Sequence, residues 1–216
     1  MNTIQYIKRT TALLVAFLVL GAVPVVETVN DMAGNTLGIA TVQAAAKSWD
    51  FSKDIGGWAY AGNYSYNGKA VVAYDSAFGG SLKLSVDYSA DVAATWSEVK
   101  LSDKRVNNQT PIVAEKADSL TFDLYYDPAK INKGSLLKIK VYGKTVGGEE
   151  AINTCVDNLG MDHAEAMEGS NYKVVHVKVP FDDAVSEKIG QLEVSVVGYC
   201  TSYVGDIYIN HMQFGN

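Results

Sequence analysis

The stretch Leu82-Lys83-Leu84-Ser85-Val86-Asp87-Tyr88 decides the fold class of this 216-residue chain. Its apolar residues alternate with polar ones, so that the two sets lie on opposite faces of an extended segment. This period of two is typical of a β-strand that has one face in a core and the other in water. The same alternation recurs at Leu120–Tyr126, Leu137–Tyr142, Val175–Val179, Leu192–Val196 and Ile207–Asn210.

Turn-forming residues separate these runs. Glycine follows asparagine at residues 67–68, and glycine pairs stand at residues 79–80 and 147–148, which are typical breaks between strands. Roughly ten short strands with such turns predict an all-β fold, a two-sheet antiparallel β-sandwich of the jelly-roll type. Helical turns are expected only at Asp182–Lys188 and near Met161–Met167.

The N-terminal segment has the pattern of a secretory signal peptide. Lys8 and Arg9 precede an apolar run from Thr11 to Val26, and small residues follow at 44–46. A basic region, an apolar region and a small-residue cleavage site are the parts of such a signal. We therefore expect residues 1–44 to be removed and residues 45–216 to form one secreted, extracellular domain. An uncleaved N-terminal membrane anchor is the alternative.

The charge balance narrows the class of ligand. The formal net charge is −6, and Arg105 is the only arginine of residues 45–216. Proteins that grip phosphates or carboxylates commonly use several guanidinium groups, because each binds such an anion through two hydrogen bonds. Nucleic acid and acidic polysaccharides are therefore poor candidates, and a neutral ligand fits better.

The cysteines and histidines do not form a recognisable metal motif. Cys155 and Cys200 would meet an oxidising compartment, and the sequence leaves open whether they form a disulfide or remain two free thiols. The three histidines lack metal-ligand spacing and are expected to be ordinary surface or core residues: His163, His176 and His211.

The strand that begins near Trp96 is the first candidate binding element. If Val99 and Leu101 face the core, then Trp96, Glu98 and Lys100 share the outer face. An indole can stack on the apolar face of a sugar ring, while a carboxylate and an ammonium form charge-assisted hydrogen bonds with hydroxyl groups. The alternative is a tryptophan at the sheet edge beside a surface ion pair.

Other aromatic residues extend this set. Trp58 follows Gly56-Gly57 and shares its parity with Tyr60, so this turn could present a second stacking platform; core packing is the alternative. Trp49 shares its parity with Phe51 and is expected in the core. Two further candidates stand opposite apolar strand faces: Tyr125 and Tyr142.

These segments together resemble a known family. Trp49-Asp50-Phe51 with Gly57-Trp58, then Leu82–Ser89, then Trp96-Ser97-Glu98 resemble mannan-binding carbohydrate-binding modules of family 27, which are attached to bacterial β-mannanases. The resemblance runs over most of residues 47–216. It implies a β-sandwich that binds β-1,4-mannan, glucomannan or galactomannan in a tryptophan-lined groove without catalysis.

The resemblance also carries over residues and partners. Trp58 and Trp96 take the place of the family's platforms. The family's later tryptophan has no counterpart after Trp96, and Tyr142 is the substitute. No cofactor is required, although a structural calcium ion is common in such sandwiches, and Asp50 and Asp206 are candidate ligands. A monomer is expected, with a catalytic mannanase as partner in the same chain or in trans.

Two other functions compete with this hypothesis. A small jelly-roll glycosidase would use Glu98 and Glu193 as its carboxylate pair. A structural or protein-binding domain of a surface assembly would use none of these residues for sugar binding.

Overall fold

The computed structural model describes residues 48–215, which form thirteen strands and three short 3-10 turns. The turns span Ala77–Gly79, Pro128–Lys130 and Met161–His163. The strands are β1 (Ser48–Trp49), β2 (Trp58–Tyr64), β3 (Val71–Asp75), β4 (Ser81–Asp87), β5 (Ser97–Asp103), β6 (Ile112–Val113), β7 (Ala117–Tyr126), β8 (Leu136–Thr145), β9 (Glu150–Val156), β10 (Glu165–Ala166), β11 (Lys173–Val185), β12 (Lys188–Tyr199) and β13 (Val204–Gly215).

These strands form two antiparallel sheets that pack face to face. The seven-stranded back sheet has the order β10-β11-β7-β13-β4-β3, with β1 added to β13. The six-stranded front sheet has the order β2-β5-β12-β8-β9, with β6 added to β12. Because the chain repeatedly crosses from one sheet to the other, neighbours within a sheet are mostly distant in sequence. The predicted all-β sandwich is confirmed.

The core lies between the two sheets and follows the predicted alternation. The inward residues of the alternating runs are at most 6% exposed, because each second side chain points between the sheets. They include Leu82, Leu84, Val86, Leu120, Phe122, Leu124, Leu137, Ile139, Val141, Leu192, Val194 and Val196. Trp49 is also buried in this core, as predicted.

Three local features complete the comparison with the sequence. The helical turn expected near Met161–Met167 is present at Met161–His163, but the one expected at Asp182–Lys188 is wrong, because β11 continues to Val185. Cys155 and Cys200 are free thiols. No helix in residues 48–215 is long and apolar enough to span a membrane. The predicted signal peptide, residues 1–44, lies outside the described residues.

Candidate functional site

Strand β5 turns its alternate residues to opposite sides of the front sheet, as the sequence predicts. Val99 and Leu101 are buried in the core between the sheets. Trp96, Glu98 and Lys100 therefore belong to the outer side. Strand β5 lies between β2 and β12 in the sheet, so neighbouring strands supply residues on both sides of this set.

The pairing register shows which residues share this outer surface. Glu98 pairs with Val197 of β12, and Val197 pairs with Lys138 of β8. Lys100 is likewise joined through Ser195 to Lys140. Directly paired residues point to the same side of an antiparallel sheet. We call this surface the Trp96 face; it carries Tyr64, Trp96, Glu98, Lys100, Ser102, Lys138, Lys140, Tyr142, Glu193, Ser195, Val197 and Tyr199.

A buried carboxylate holds the half-buried indole of Trp96. Trp96 donates from Nε1 to Oε2 of Glu98 over 3.1 Å, and Ser195 donates from its hydroxyl to Oε1 over 2.7 Å. Glu98 is only 4% exposed. Both carboxylate oxygens are thus engaged within the protein, and hydrogen bonds to a charged acceptor are the stronger kind. In this structure Glu98 therefore orients Trp96, rather than standing open to solvent as the sequence suggested.

A lysine lies beside two aromatic rings at this end of the face. Nζ of Lys138 is 5.9 Å from the ring centroid of Trp96 and 4.9 Å from that of Tyr199. The same nitrogen is 3.1 Å from Oδ1 of Asp157. An ammonium near an aromatic ring is attracted by the ring's quadrupole. The three side chains thus form a polar and aromatic cluster that includes two residues absent from the sequence prediction.

The sequence partly indicates the two site residues that were not predicted, Tyr199 and Lys138. Tyr199 continues the outward parity of Glu193 and Ser195, so extending the alternation of β12 by four residues would have placed it. Lys138 was recognised as outward, but its nearness to Trp96 depends on strand register, which local periodicity does not give.

The other end of the face carries Tyr142. It is half-buried, pairs with Glu193 and has Nζ of Lys144 5.9 Å from its ring centroid. Tyr199 pairs with Leu136, six positions before Tyr142, which corresponds to about 20 Å along the strand. The face is therefore long enough for several sugar rings, with aromatic groups at each end and Lys100 between them.

The two predicted residues of β2 do not join this set. Trp58 is 1% exposed and packs edge-on against Trp49, with ring centroids 5.5 Å apart. It pairs with Asp103, which is also buried, so its parity directs it into the core. The prediction of Trp58 as an exposed platform is wrong. Tyr60 shares that parity but is exposed at the sheet edge, where it accepts a hydrogen bond from Nδ2 of Asn63.

Strand β2 nevertheless contributes one aromatic residue to the face. The pairing of β2 with β5 is irregular between Tyr60 and Gly62. Beyond this point Tyr64 pairs with Glu98, and its side chain is 62% exposed. An extra residue in one strand changes which face the following residues occupy. Tyr64 thus flanks the Glu98 row where the sequence placed no site residue.

The remaining candidates lie elsewhere. Tyr125 is buried on the outer side of the back sheet beneath Phe78. Asp50 accepts hydrogen bonds from Ser52, and Asp206 accepts one from Ser85. Within residues 48–215 no group of three or more His, Cys, Asp or Glu side chains is arranged to hold a metal ion. The structure therefore does not join Asp50 and Asp206 in one site, and the calcium ion stays a prediction.

The glutamate pair of the glycosidase hypothesis is widely separated. Glu193 pairs with Ser102, four residues along β5 from Glu98, which is about 13 Å along the strand. Retaining glycosidases hold their carboxyl groups about 5–5.5 Å apart and inverting ones about 6.5–9.5 Å. The engagement of Glu98 with Trp96 and Ser195 also disfavours a catalytic role.

Comparison with known proteins identifies the family of this chain. The family model of carbohydrate-binding module 27 matches residues 39–215. The chain belongs to carbohydrate-binding module family 27. It is therefore a carbohydrate-binding module by family. No curated protein matches the chain.

Solved structures share the fold at low sequence identity. The family 27 module of Caldicellulosiruptor saccharolyticus in complex with mannohexaose is 19% identical, with 78% of this chain and 95% of that chain covered and a TM-score of 0.59. A module studied for its specific recognition of mannan is also 19% identical, with 79% and 96% covered and a TM-score of 0.55. A family 28 module specific for non-crystalline cellulose is 18% identical, with 74% and 88% covered and a TM-score of 0.52.

Proposed function

We propose that this module binds a neutral β-1,4-linked mannan, glucomannan or galactomannan through the Trp96 face and catalyses no reaction. The observation that carries the proposal is the half-buried indole of Trp96, which donates to Glu98, a carboxylate that is in turn held by a hydrogen bond from Ser195. A stacking group held in advance loses little conformational freedom when ligand binds. The mannohexaose complex of one structural neighbour, the specific mannan recognition of another and the family itself support the choice of ligand.

In this proposal the aromatic and polar groups have different roles. Trp96 and Tyr199 stack on sugar rings at one end of the face, and Tyr142 does so at the other. Lys100 and Lys140 lie one strand on either side of Ser195, about 10 Å apart, and donate hydrogen bonds to hydroxyl groups between the platforms. Trp58 has no role in binding, because it is part of the core.

The chemistry of a neutral ligand sets the expected behaviour in solution. Affinity should be modest, because ordering a flexible polysaccharide opposes each short contact. Salt should change the affinity little, since screening acts on interactions between charges. A ligand carrying many carboxylates would instead bind more weakly as salt increases.

The biological setting is a further part of the proposal. We infer that the module is secreted, with residues 1–44 as its signal peptide, and acts as a monomer outside the cell. A mannanase, in the same chain or in trans, would be its catalytic partner. The support is the signal-like sequence of residues 1–44 and the family's association with such enzymes.

Affinity electrophoresis of residues 45–216 tests the ligand and the face together. Gels would contain glucomannan, galactomannan, xylan or hydroxyethylcellulose. We expect the mannans alone to retard the protein, and Trp96→Ala to abolish the retardation. Tyr74→Ala is the matched control, because Tyr74 is exposed on β3 of the other sheet, and it should migrate like the unaltered protein.

Each alternative has its own outcome, either in the same gels or in a reducing-sugar assay with the same polysaccharides. Retardation by xylan or hydroxyethylcellulose alone would contradict the choice of mannan. Retardation by no polysaccharide would contradict carbohydrate binding and favour the structural or protein-binding function. Release of reducing sugar from any of the four polysaccharides would support the glycosidase.

A further inference from the structure

The outer side of the back sheet carries a row of apolar residues. Tyr208 of β13 pairs with Tyr125 of β7, and Tyr125 pairs with Val174 of β11. Their exposed fractions are 8%, 6% and 6%, although the main core lies on the other side of this sheet. Something on the outer side must therefore cover them, since the outward face of such a sheet is normally polar and solvated.

Phe78 provides part of this cover, together with Ala77, Met167 and Tyr172. Its ring is stacked on that of Tyr125, with centroids 4.2 Å apart and an interplanar angle of 6°. It meets the ring of Tyr208 edge-on at 5.2 Å and that of Tyr172 at 5.6 Å. We call these four residues, Phe78, Tyr125, Tyr172 and Tyr208, the Phe78 cluster. Phe78 and Tyr172 are themselves only half-buried.

The backbone of Phe78 is in an unfavourable conformation. Its φ of 56° and ψ of 34° lie in the left-handed region, where a bulky side chain crowds the main chain. Such strain is found at ligand clamps and switches more often than elsewhere. Residue 78 is thus held where an aromatic side chain is costly, and the stacking on Tyr125 is the visible compensation.

The main chain around Phe78 is anchored, so movement would be confined to the ring. Asn210 donates from Nδ2 to the carbonyl oxygen of Phe78 over 3.3 Å. Ala77 donates from its amide to Asp75 over 3.0 Å, and Gly80 donates from its amide to the carbonyl of Ala77 over 3.0 Å. Rotation about the side-chain bonds of Phe78 would uncover Tyr125 without rebuilding the turn.

Polar groups surround the stacked rings. Burial raises the pKa of Tyr172 and Tyr208, and the nearby Asp206 carboxylate adds to the increase at both hydroxyl groups. Lys83 pairs with Tyr208 across the strands, and its Nζ lies 2.8 Å from Asp75. Asp206, two residues before Tyr208, accepts a hydrogen bond from Ser85. An aromatic surface bordered by hydroxyl, carboxylate and ammonium groups suits a sugar ring, which is apolar on its face and carries hydroxyl groups at its edge.

We propose that the Phe78 cluster is a second carbohydrate site, in which the ring of Phe78 occupies the place of one neutral pyranose on Tyr125 and must rotate away before the sugar binds. The ligand is a single ring at a chain end or a side branch, because the stacked surface is one ring wide. The affinity of the unaltered protein at this site is reduced by the fraction of molecules in which the ring is closed. This site does not depend on the Trp96 face.

The test removes the ring of Phe78 in a protein whose Trp96 face no longer binds carbohydrate. Phe78→Gly suits the left-handed backbone, so the variant should fold. The substitution also deletes the ring that is stacked on Tyr125. Combined with Trp96→Ala, it is compared with Trp96→Ala alone in galactomannan gels and by titration with mannotriose. We expect binding at least about tenfold stronger in the double variant, because the closed state no longer competes. Adding Tyr125→Leu, which keeps an apolar side chain, should remove the gain.

The outcomes separate this site from the first one. If the folded double variant, checked by circular dichroism, binds galactomannan and mannotriose no better than Trp96→Ala, the proposal is overturned. A gain that persists with Tyr125→Leu would also overturn it. Failure of the Trp96 face would appear instead as equal binding by the unaltered protein and Trp96→Ala.

Discussion

Trp58 and Trp96 stand on neighbouring segments of the same sheet and meet opposite environments. Trp58 opens β2, pairs with buried Asp103 and packs against Trp49 in the core. Trp96 immediately precedes β5 and lies on the outer side, where Glu98 accepts its indole hydrogen bond. Side-chain parity relative to the core, and not residue type, therefore separates a packing tryptophan from a candidate platform.

The hydrogen bonds of the two indoles differ in the same way. Nε1 of Trp58 has no partner among residues 48–215, whereas Nε1 of Trp96 has a buried carboxylate. An unpaired buried donor costs about 1–3 kcal/mol. Packing thus outweighs polarity at Trp58, while at Trp96 a polar network fixes the direction of the ring.

The largest expected effect is on folding, from Trp58→Ala. Removing a fully buried tryptophan should lower the free energy of unfolding by about 3–5 kcal/mol, because it deletes apolar burial and leaves a cavity. Trp96→Ala should cost less, about 1–2 kcal/mol, because it leaves one oxygen of the buried Glu98 without its donor, yet it should abolish retardation by mannan. Urea unfolding followed by circular dichroism measures the first quantity, and affinity gels measure the second.

A milder change tests whether the Trp58 position is structural. Trp58→Phe keeps an aromatic ring and removes the unpaired N–H, so it should cost less than Trp58→Ala and retain full binding. Loss of mannan binding by a stably folded Trp58→Phe would break the comparison and return Trp58 to the binding site.

The next effect concerns the carboxylate that orients Trp96. Glu98→Gln replaces an acceptor oxygen by an NH₂ donor, so Trp96 and Ser195 can no longer both donate to this side chain. We expect a loss of about 1–2 kcal/mol in unfolding free energy and roughly tenfold weaker mannan binding, through a less ordered indole. Titration calorimetry and urea unfolding check the two values.

Glu193→Gln is the matched control for that change. Glu193 lies on the same face and is partly exposed, with a hydrogen bond from Nε2 of Gln191. It should alter stability by less than about 0.5 kcal/mol and leave Trp96 in place. Equal losses of mannan affinity in Glu98→Gln and Glu193→Gln would mean that the net charge of the Trp96 face, and not the orientation of Trp96, governs binding.

The same contrast explains what could be predicted from the sequence. Regular alternation around Leu82 and Leu120 gave the sandwich, and Val99 with Leu101 anchored the parity of Trp96 correctly. The start of β2 offers no such anchor, because aromatic and small residues alternate there and the irregularity after Tyr60 changes the register.

Strand register is the part that periodicity cannot supply. Tyr199 and Lys138 come together because β12 and β8 pair at residues 197 and 138, far apart in the chain. The buried state of Glu98 also follows from this neighbourhood, since Ser195 reaches it from the adjacent strand. The alternation of β5 considered alone predicts that the carboxylate of Glu98 is exposed.

A smaller effect on stability, measurable at alkaline pH, concerns Tyr88 in the core. Tyr88 follows β4 of the back sheet and is buried in the core, where its hydroxyl donates to the carbonyl oxygen of Val196 of β12 over 3.1 Å. Burial raises the pKa of Tyr88 well above 10.0, and nearby Tyr66, Asp91 and Glu98 add to the increase. The folded protein therefore keeps this proton at a pH where the unfolded chain releases it.

A raised pKa gives stability that is complete below the unfolded value of about 10 and is lost as pH rises above it. Tyr88→Phe should cost about 1 kcal/mol at neutral pH, from the lost hydrogen bond. The difference in unfolding free energy between the two proteins should shrink from about pH 10 to about pH 11, just above the unfolded pKa of tyrosine. The reason is that ionisation in the unfolded state destabilises only the protein with tyrosine, since phenylalanine cannot ionise. Urea midpoints across this range provide the measurement, and parallel pH profiles for the two proteins would refute the assignment.

The smallest effect tests the cluster of Lys138 with Trp96 and Tyr199. Lys138→Met keeps the apolar stem and removes the ammonium, so the rings lose a cation contact worth about 0.5–1 kcal/mol and Asp157 loses its partner. We expect the ammonium of Lys138 also to donate to a sugar hydroxyl, as those of Lys100 and Lys140 do in the proposed site, so its loss should weaken mannan binding roughly three- to tenfold. Lys178→Met makes the same change on the back sheet, where Lys178 faces Asp118, and should leave binding unaltered. Stronger binding by Lys138→Met would instead mean that the lysine obstructs the platform, and the aromatic pair alone would then define that end of the Trp96 face.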